Sequence, residues 1–424
     1  MKRVLIYPCG TEIGLEVYRS LCYSTHYEVF GGTDSHDHGR FVFRNLIDHL
    51  PFINDDSNEE DIKQFENAIK DYDIDFIYPA MDGVISVFAK FRELFKEILI
   101  LPDTETAEMC RSKKATYEKL KKIVATPAIY KNIKEVQELP VFIKPDQGQG
   151  SVGARRINTI EELEEVDFER YVVMENLPGK EYTVDCFTNN GGKLIYAKGR
   201  GRKRIKNGIS VNAVFDENPQ FQQIAERINE AIKQKGGWFF QLKESKDGSL
   251  KLLEVASRIA GTSAISRNIG ANLPLMTVDL FNDIMINDVA LNDCYIELDR
   301  ALGNIYKTDI RYSTVYIDYD DTVVKKGIIN TNIIKFIYQC VNNGIKIILL
   351  SKHAGDLNKE LQKYRLNSIF DEVIQINKYE DKKNYVKECD SIFIDDSYGE
   401  RRSVKMDCKI PVFDTHMIEC LLED

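Results

Sequence analysis

Apolar positions recur along this chain in short runs separated by stretches of helical period. Val4 to Tyr7 is an apolar run, Gly10 and Gly14 follow, and Leu15, Val17, Tyr18 and Leu21 then recur on one helical face. Strand, glycine-bearing turn and helix make the opening of a parallel α/β unit. Val29–Phe30 and Phe76–Pro79 read as further strands, with Asp61 to Lys70 as the helix between them. Residues 1–102 are therefore expected to form a small parallel-sheet domain.

The middle of the chain reads differently. Ala107 to Ile123 has a helical pattern, and Pro140 to Pro145 is a strand that leads into a glycine-rich loop, Gln147 to Gly153. Ala154 to Ile157, Tyr171 to Glu175, Tyr182 to Phe187, Leu194 to Ala197 and Val211 to Phe215 are strand-like. Pro219 to Lys235 is an amphipathic helix. Trp238 to Leu242 and Leu250 to Val255 pair around the turn Lys246 to Ser249. This region is expected to be α+β and mostly antiparallel. Residues 283–312 are polar and mixed and read as a linker. From Thr314 onward strand and helix alternate, with strands at Thr314–Ile317, Ile345–Leu350, Asp371–Ile376, Ser391–Ile394 and Pro411–Phe413. That alternation predicts a second, doubly wound parallel sheet.

Composition narrows the function. The 424 residues suit two to four domains. A net charge of −10 argues against nucleic acid or an anionic membrane as partner. Nine scattered cysteines, with no Cys-x-x-Cys pair, point to a reducing cytoplasm. No run approaches the length of a membrane span. One local exception to the acidic balance is the basic run Lys198 to Lys206, which reads as a loop between strands. Most of its charges are expected in solvent, with Arg202 and Arg204 as candidates for ligand contact.

Gly148, Gly150 and Gly153 match Gly-x-Gly-x-x-Gly. In a dinucleotide site those glycines open a helix. Here the chain passes from strand to loop to strand, so a flexible lid over a triphosphate fits better, with backbone N–H groups approaching phosphate oxygens. Lys144, just before the loop, is the natural charge partner.

The order of these features resembles the ATP-grasp family, and within it the carbamoyl-phosphate-synthase-like branch. The resemblance rests on Ser112 to Tyr117, Phe142 to Pro145, Met174 to Asp185, Gln241, Leu253 to Arg258, and Gly261 to Pro274. It implies a Rossmann-like pre-ATP-grasp domain over residues 1–102 and an ATP-grasp domain over 103–305. Under the resemblance Lys113 and Lys144 hold phosphates, beneath a lid of Gly148, Gly150, Ser151 and Gly153. Glu175 and Leu177 lie in the hinge that meets adenine, and Glu181 takes the ribose hydroxyls. Gln241 and Glu254 hold Mg²⁺, with Mn²⁺ as the alternative ion. Arg258 faces the transferred phosphoryl or the acid. The family's usual Glu-x-Asn-x-Arg reads Glu254-Val-Ala256-Ser-Arg258 here, so a metal-binding Asn is replaced by Ala256.

Residues 313–424 resemble a haloacid-dehalogenase-like (HAD-like) phosphatase. Val315 to Thr322 is an apolar strand ending in Asp-x-Asp-x-Thr, Ser351 ends a second strand, and Asp395 and Asp396 end a third. Lys382 or Lys383 supplies the remaining motif. The resemblance implies Asp318 as nucleophile, Asp320 as general acid and base, and Ser351 with the lysine on the phosphoryl oxygens. Asp395 and Asp396, with Asp318 and Asp320, form the Mg²⁺ site. Short spacings between the motifs leave no room for a cap domain, so the domain is expected to be capless.

The expectation is thus an α/β and α+β multidomain, cytoplasmic Mg-ATP enzyme: a ligase joining a small carboxylate to an amine through an acyl phosphate, fused to a phosphatase acting on a phosphorylated substrate of the same pathway. An acid kinase, or a phosphatase carrying a non-ligating nucleotide-binding module, stays open, as does assembly into a homo-oligomer.

Overall fold

The computed structural model describes residues 1–95, 97–148, 150, 152–206 and 209–423. The chain divides into two compact units, Met1–Ala301 and Leu302–Asp424.

In the first unit, Lys2–Tyr7, Tyr27–Gly32, Asn45–Ile47 and Phe76–Pro79 form a parallel sheet. Lys2–Tyr7 lies between Tyr27–Gly32 and Phe76–Pro79. Val4, Leu5, Ile6 and Tyr7 are fully buried, which explains their continuous apolar run: a parallel strand is covered on both faces. Helix Glu12–Leu21 is capped by Thr11, whose hydroxyl accepts from the Gly14 amide at 3.0 Å. A Cβ at position 14 would stand 2.5 Å from the Cys9 carbonyl oxygen, so the close helix entry requires glycine there. The sheet does not pack alone. Val4, Ile6 and Tyr78 share a core with Phe187, Tyr196, Ile259 and Leu273.

Two antiparallel sheets complete this unit. The smaller runs Ile129–Tyr130, Tyr171–Glu175, Val141–Pro145, Arg155–Ile157 in spatial order. The larger runs Leu250–Ala256, Gly236–Glu244, Glu181–Thr188, Leu194–Lys206, Ile209–Phe215, Glu297–Asp299. Its centre holds Trp238, fully buried, with Nε1 donating to the Thr188 hydroxyl at 2.9 Å.

Three expectations need correction. The helix expected over 107–123 is two helices, Thr104–Arg111 and Lys113–Leu120, broken at Ser112. Ser112 is extended and caps the second helix, its hydroxyl accepting from the Ala115 amide at 3.1 Å. The basic run Lys198–Lys206 is not a loop: it is the second half of the strand Leu194–Lys206. Part of the expected linker, Glu297–Asp299, is an edge strand paired with Ile209–Phe215.

The second unit is built on a five-stranded parallel sheet: Glu372–Gln375, Lys346–Ser351, Thr314–Ile317, Ser391–Ile394, Val412–Phe413. Thr314–Ile317 is central and wholly buried. Helix Thr331–Asn342 packs Ile333, Phe336, Ile337 and Cys340 onto the sheet. No helix among the described residues is long and apolar enough to cross a membrane.

Candidate functional sites

A cleft of about 370 Å³ opens in the first unit, where both antiparallel sheets and the C-terminal ends of parallel strands meet. Its lining contains Lys113, Lys144, Gly148, Gly150, Leu177, Glu181, Gln241, Glu254 and Arg258. Val141–Pro145 pairs antiparallel with Arg155–Ile157, so the glycine loop is a hairpin connection and opens no helix. Gly150 and Gly153 have positive φ, which glycine adopts at no steric cost.

Lys144 is buried, and its ammonium donates to the Leu253 carbonyl at 2.7 Å. The ring of Tyr117 lies 5.3 Å from its Nζ. Burial lowers the Lys144 pKa to about 7, with Glu254 pulling the other way and Lys113 adding to the depression. A buried ammonium with one carbonyl partner is a site that an anion would complete. Lys113 Nζ reaches the carbonyls of Asp146 and Gly148, both at 3.2 Å, tying the helix start to the base of the loop.

Gln241 and Glu254 are direct cross-strand partners, so both side chains leave the same face of the sheet. The Glu254 carboxylate has no hydrogen bond or ion pair among the described residues. A carboxylate beside an amide oxygen is a hard donor pair of the kind Mg²⁺ takes. Ala256 pairs with Phe239 and brings no polar side-chain atom. Arg258 binds Asp82 in bidentate fashion, Nε to Oδ1 at 2.8 Å and Nη2 to Oδ2 at 2.6 Å, with its guanidinium 5.2 Å from the Phe239 ring. Burial alone would raise the Asp82 pKa, but Arg258, with Arg111 and Lys113 nearby, brings it below the usual range.

The cleft omits some expected members. Glu175 is turned away from the cleft wall, because it pairs with Lys251 and accepts from the Ala128 amide at 3.2 Å. Gly153 is not part of the lining either, packing instead toward the Pro145 ring. Ser151 lies outside the described residues. Of the basic run, Arg202 reaches the cleft and pairs with Glu181. Arg204 sits at the surface on Asp299 at 2.7 Å. Arg200 is fully buried: it pairs with Asp185, and its Nε donates to the Thr262 hydroxyl at 2.9 Å. Thr11, Glu12 and Asp82 line the cleft and were missed. The one available signal was an acid opening the helix after each of two strands, at Glu12 and Asp82.

In the second unit, Asp318, Asp395 and Asp396 bring a carboxylate oxygen each within 4.8 Å of one another. They follow the neighbouring parallel strands Thr314–Ile317 and Ser391–Ile394 at their C-terminal ends. Lys382 is buried between them, 2.6 Å from Asp318 Oδ1 and 2.6 Å from Asp395 Oδ2. Burial raises both carboxyl pKa values, against the pull of Lys382. Three carboxylates against one lysine leave negative charge that a divalent cation would balance. The fully buried Ser351, which ends the adjacent strand Lys346–Ser351, turns its hydroxyl toward the Asp318 carboxylate.

Two expected members stand apart from this cluster. Lys383, next to Lys382 on a single 3₁₀ turn, points away and pairs with Asp407 at 2.5 Å. Asp320 is not among the three clustered carboxylates: His353 Nδ1 holds its two oxygens at 3.0 and 2.9 Å. His353 was also missed.

Residues 167–296 match the family described as "ATP-grasp in the biosynthetic pathway with Ter operon". No curated protein matches the chain in sequence. Solved structures similar to it include biotin carboxylase from Campylobacter jejuni, 15% identical, with a TM-score of 0.56, covering 69% of this chain and 74% of that one. N5-carboxyaminoimidazole synthetase from Staphylococcus aureus, solved with ADP, is 16% identical, with a TM-score of 0.56 and coverage of 68% and 79%. L-amino acid ligase from Bacillus licheniformis is 17% identical, with a TM-score of 0.53 and coverage of 67% and 76%. At this identity the likeness is one of fold. The chain carries an ATP-grasp fold.

Proposed function

We propose that the first unit is an ATP-dependent carboxylate–amine ligase that works through an acyl phosphate, and that the second is a Mg²⁺-dependent, capless HAD-like phosphatase of the same pathway. The observation that carries the ligase reading is the convergence, in one cleft, of a desolvated Lys144, a second lysine, an unpaired Glu254 beside Gln241, and Arg258. The motif order supports the carbamoyl-phosphate-synthase-like branch. A similar fold serves the L-amino acid ligase of Bacillus licheniformis.

Phosphoryl transfer asks a protein mainly for positioning and charge neutralisation. Lys113 and Lys144 would neutralise the nucleotide phosphates, under the glycine loop. Leu177 and Met174 supply apolar wall for the base, and Glu181 receives ribose hydroxyls. Gln241 and Glu254 would hold Mg²⁺, which supplies charge neutralisation when bound. Arg258 turns the acid toward the γ-phosphoryl. A carboxylate oxygen then bonds to the γ-phosphorus as the bond to ADP breaks. The amine nitrogen next bonds to the acyl carbon, and phosphate leaves with the C–O electron pair. Hydroxylamine tests this reading: an acyl phosphate is intercepted as a hydroxamate, formed only with Mg-ATP and the acid present. Absence of hydroxamate under acid-dependent ADP release would contradict it.

In the second unit, Asp318 attacks phosphorus as the bond to the leaving oxygen breaks, Asp320 protonates that oxygen and then takes a proton from the water that splits the aspartyl-phosphate, and Lys382 and the Ser351 hydroxyl receive phosphoryl oxygens. Asp318, Asp395 and Asp396 fit Mg²⁺. Hydrolysis of p-nitrophenyl phosphate that needs Mg²⁺ and is lost in Asp318→Asn tests this assignment. Ala256 favours one second reading, a first unit that binds nucleotide without ligating, because it removes a polar ligand from the metal segment. ATP binding without acid-dependent turnover would distinguish it.

A further inference from the structure

The phosphatase chemistry sets Asp320 a demanding task. It hands a proton to the leaving oxygen and later takes one from water, so its carboxylate has to stand in one place through both steps. Its own turn does not fix it. Asp320 lies three residues beyond the central strand Thr314–Ile317, and its side chain is half-exposed, whereas Asp318 is buried. A lone aspartate there would move between rotamers.

The fixing comes from the neighbouring strand. His353 lies two residues beyond the end of Lys346–Ser351, which pairs with Thr314–Ile317. Its Nδ1 stands 3.0 and 2.9 Å from the two oxygens of Asp320. An ionised carboxylate only accepts, so the proton of this contact sits on Nδ1. Among the described residues no other side chain bonds the Asp320 carboxylate. One N–H set between both oxygens holds one edge of the carboxylate and leaves its outer lone pairs to the leaving oxygen or the water.

His353 is itself held from several sides, and its side chain is only 17% exposed. Its ring meets the buried Tyr319 ring edge to face, with centroids 5.3 Å apart and planes at 84°. The Gln375 amide, at the end of Glu372–Gln375, donates to the His353 carbonyl at 2.9 Å and to the Gly355 carbonyl at 2.6 Å. The preceding Lys352 binds Glu400 at 2.5 Å, on the helix Tyr398–Cys408 that follows Asp395 and Asp396. The segment Ser351 to His353 is thus tied to the strand ends on both sides of it. An exposed ion pair stabilises a fold little. A braced donor that holds an otherwise mobile acid is the form preorganisation takes.

We propose that His353 is the positioning residue of the phosphatase site, holding Asp320 in the orientation from which it protonates the leaving oxygen. This rests on the phosphatase reading of the second unit. His353 then matters most where the leaving group needs a proton, in phosphate esters of alcohols rather than of acidic phenols.

The test measures kcat/KM of the full-length protein with Mg²⁺ for two kinds of ester. Alkyl phosphates, glycerol 2-phosphate first among them, release an alkoxide that leaves only with a proton. 2,4-Dinitrophenyl phosphate releases a phenolate that needs none. Because kcat/KM reports the steps up to departure of the leaving group, the later attack of water does not enter. His353→Ala should lower kcat/KM for the alkyl ester about 10²-fold, the scale for a misplaced catalytic group. It should hardly change kcat/KM for the dinitrophenyl ester, which also shows that the variant is folded. His353→Asn, whose amide nitrogen can stand where Nδ1 stands, should recover most of the loss. An equal fall with both esters, no fall with either, or an Asn variant as poor as the Ala variant overturns the proposal while the phosphatase reading stands. So does a wild-type protein that hydrolyses the dinitrophenyl ester and no alkyl ester. Hydrolysis of neither kind, or hydrolysis that survives Asp318→Asn, defeats both.

Discussion

The two units handle buried charge in opposite ways. In the second, the charges neutralise one another: Lys382 lies between Asp318 and Asp395 at 2.6 Å from each. In the first, Lys144 is buried with only the Leu253 carbonyl, among the described residues, to accept from it, and its pKa falls to about 7. One site is assembled before any ligand arrives and keeps an excess of negative charge. The other keeps an ammonium whose charge is supported only when an anion enters. A preformed acidic cluster suits a resident cation, and an unsupported lysine suits a polyphosphate that comes and goes.

Removing Lys382 should have the largest effect. Lys382→Ala leaves Asp318 and Asp395 buried without their counter-charge, at a cost of about 3–5 kcal/mol. Denaturant unfolding of the second unit's transition measures it, and added Mg²⁺ should recover part of the loss. An unchanged midpoint would break the comparison. Lys144→Ala should act on function and hardly on stability, since it relieves a desolvated charge. Nucleotide-dependent turnover should fall on the order of 10²–10³-fold, the scale for losing one preorganised donor. A clear fall in stability would count against this account.

A smaller effect sharpens the Lys144 side. Its folded pKa lies near 7, below the ordinary 10.5. Between these values the unfolded chain binds a proton that the empty folded cleft does not, so stability rises with pH across that window. Nucleotide phosphates restore the ammonium. Binding at pH 8.5 should therefore take up close to one proton, read by calorimetry in buffers of different ionisation enthalpy. Zero uptake would show that Lys144 is already charged in the empty cleft. The smallest effect is expected from Lys383→Ala, which should leave both phosphatase turnover and Tm unchanged, because among the described residues its ammonium pairs with the exposed carboxylates of Asp407 and Asp381.

Legibility in the sequence follows the range of the interactions. The strand before the glycine loop is written in local period, whereas the placing of Gln241 opposite Glu254 depends on a register shift between Gln241 and Leu242 that the spacing does not announce. The basic run is not written locally either: so many positive residues together read as a solvated loop. Yet Arg200 is buried by Asp185, fifteen residues earlier in the chain, across paired strands. Asp82 and Arg258 meet across 176 positions, and no local pattern announces that pair. Lys382 and Lys383 are indistinguishable by spacing. The 3₁₀ turn alone decides that one faces inward and the other outward. Glu175 sits where the hinge was expected, but Lys251, on a strand of the other antiparallel sheet, claims its carboxylate.

The central claim is that the first unit passes the γ-phosphoryl to a carboxylate. The direct measurement uses an acid labelled with ¹⁸O in its carboxylate, the Asp318→Asn protein, Mg-ATP and the amine, followed by phosphorus NMR. Transfer through an acyl phosphate predicts inorganic phosphate carrying one labelled oxygen, and no such signal in the Asp318→Asn, Lys144→Ala double variant. Unlabelled phosphate accompanying ADP would contradict the account.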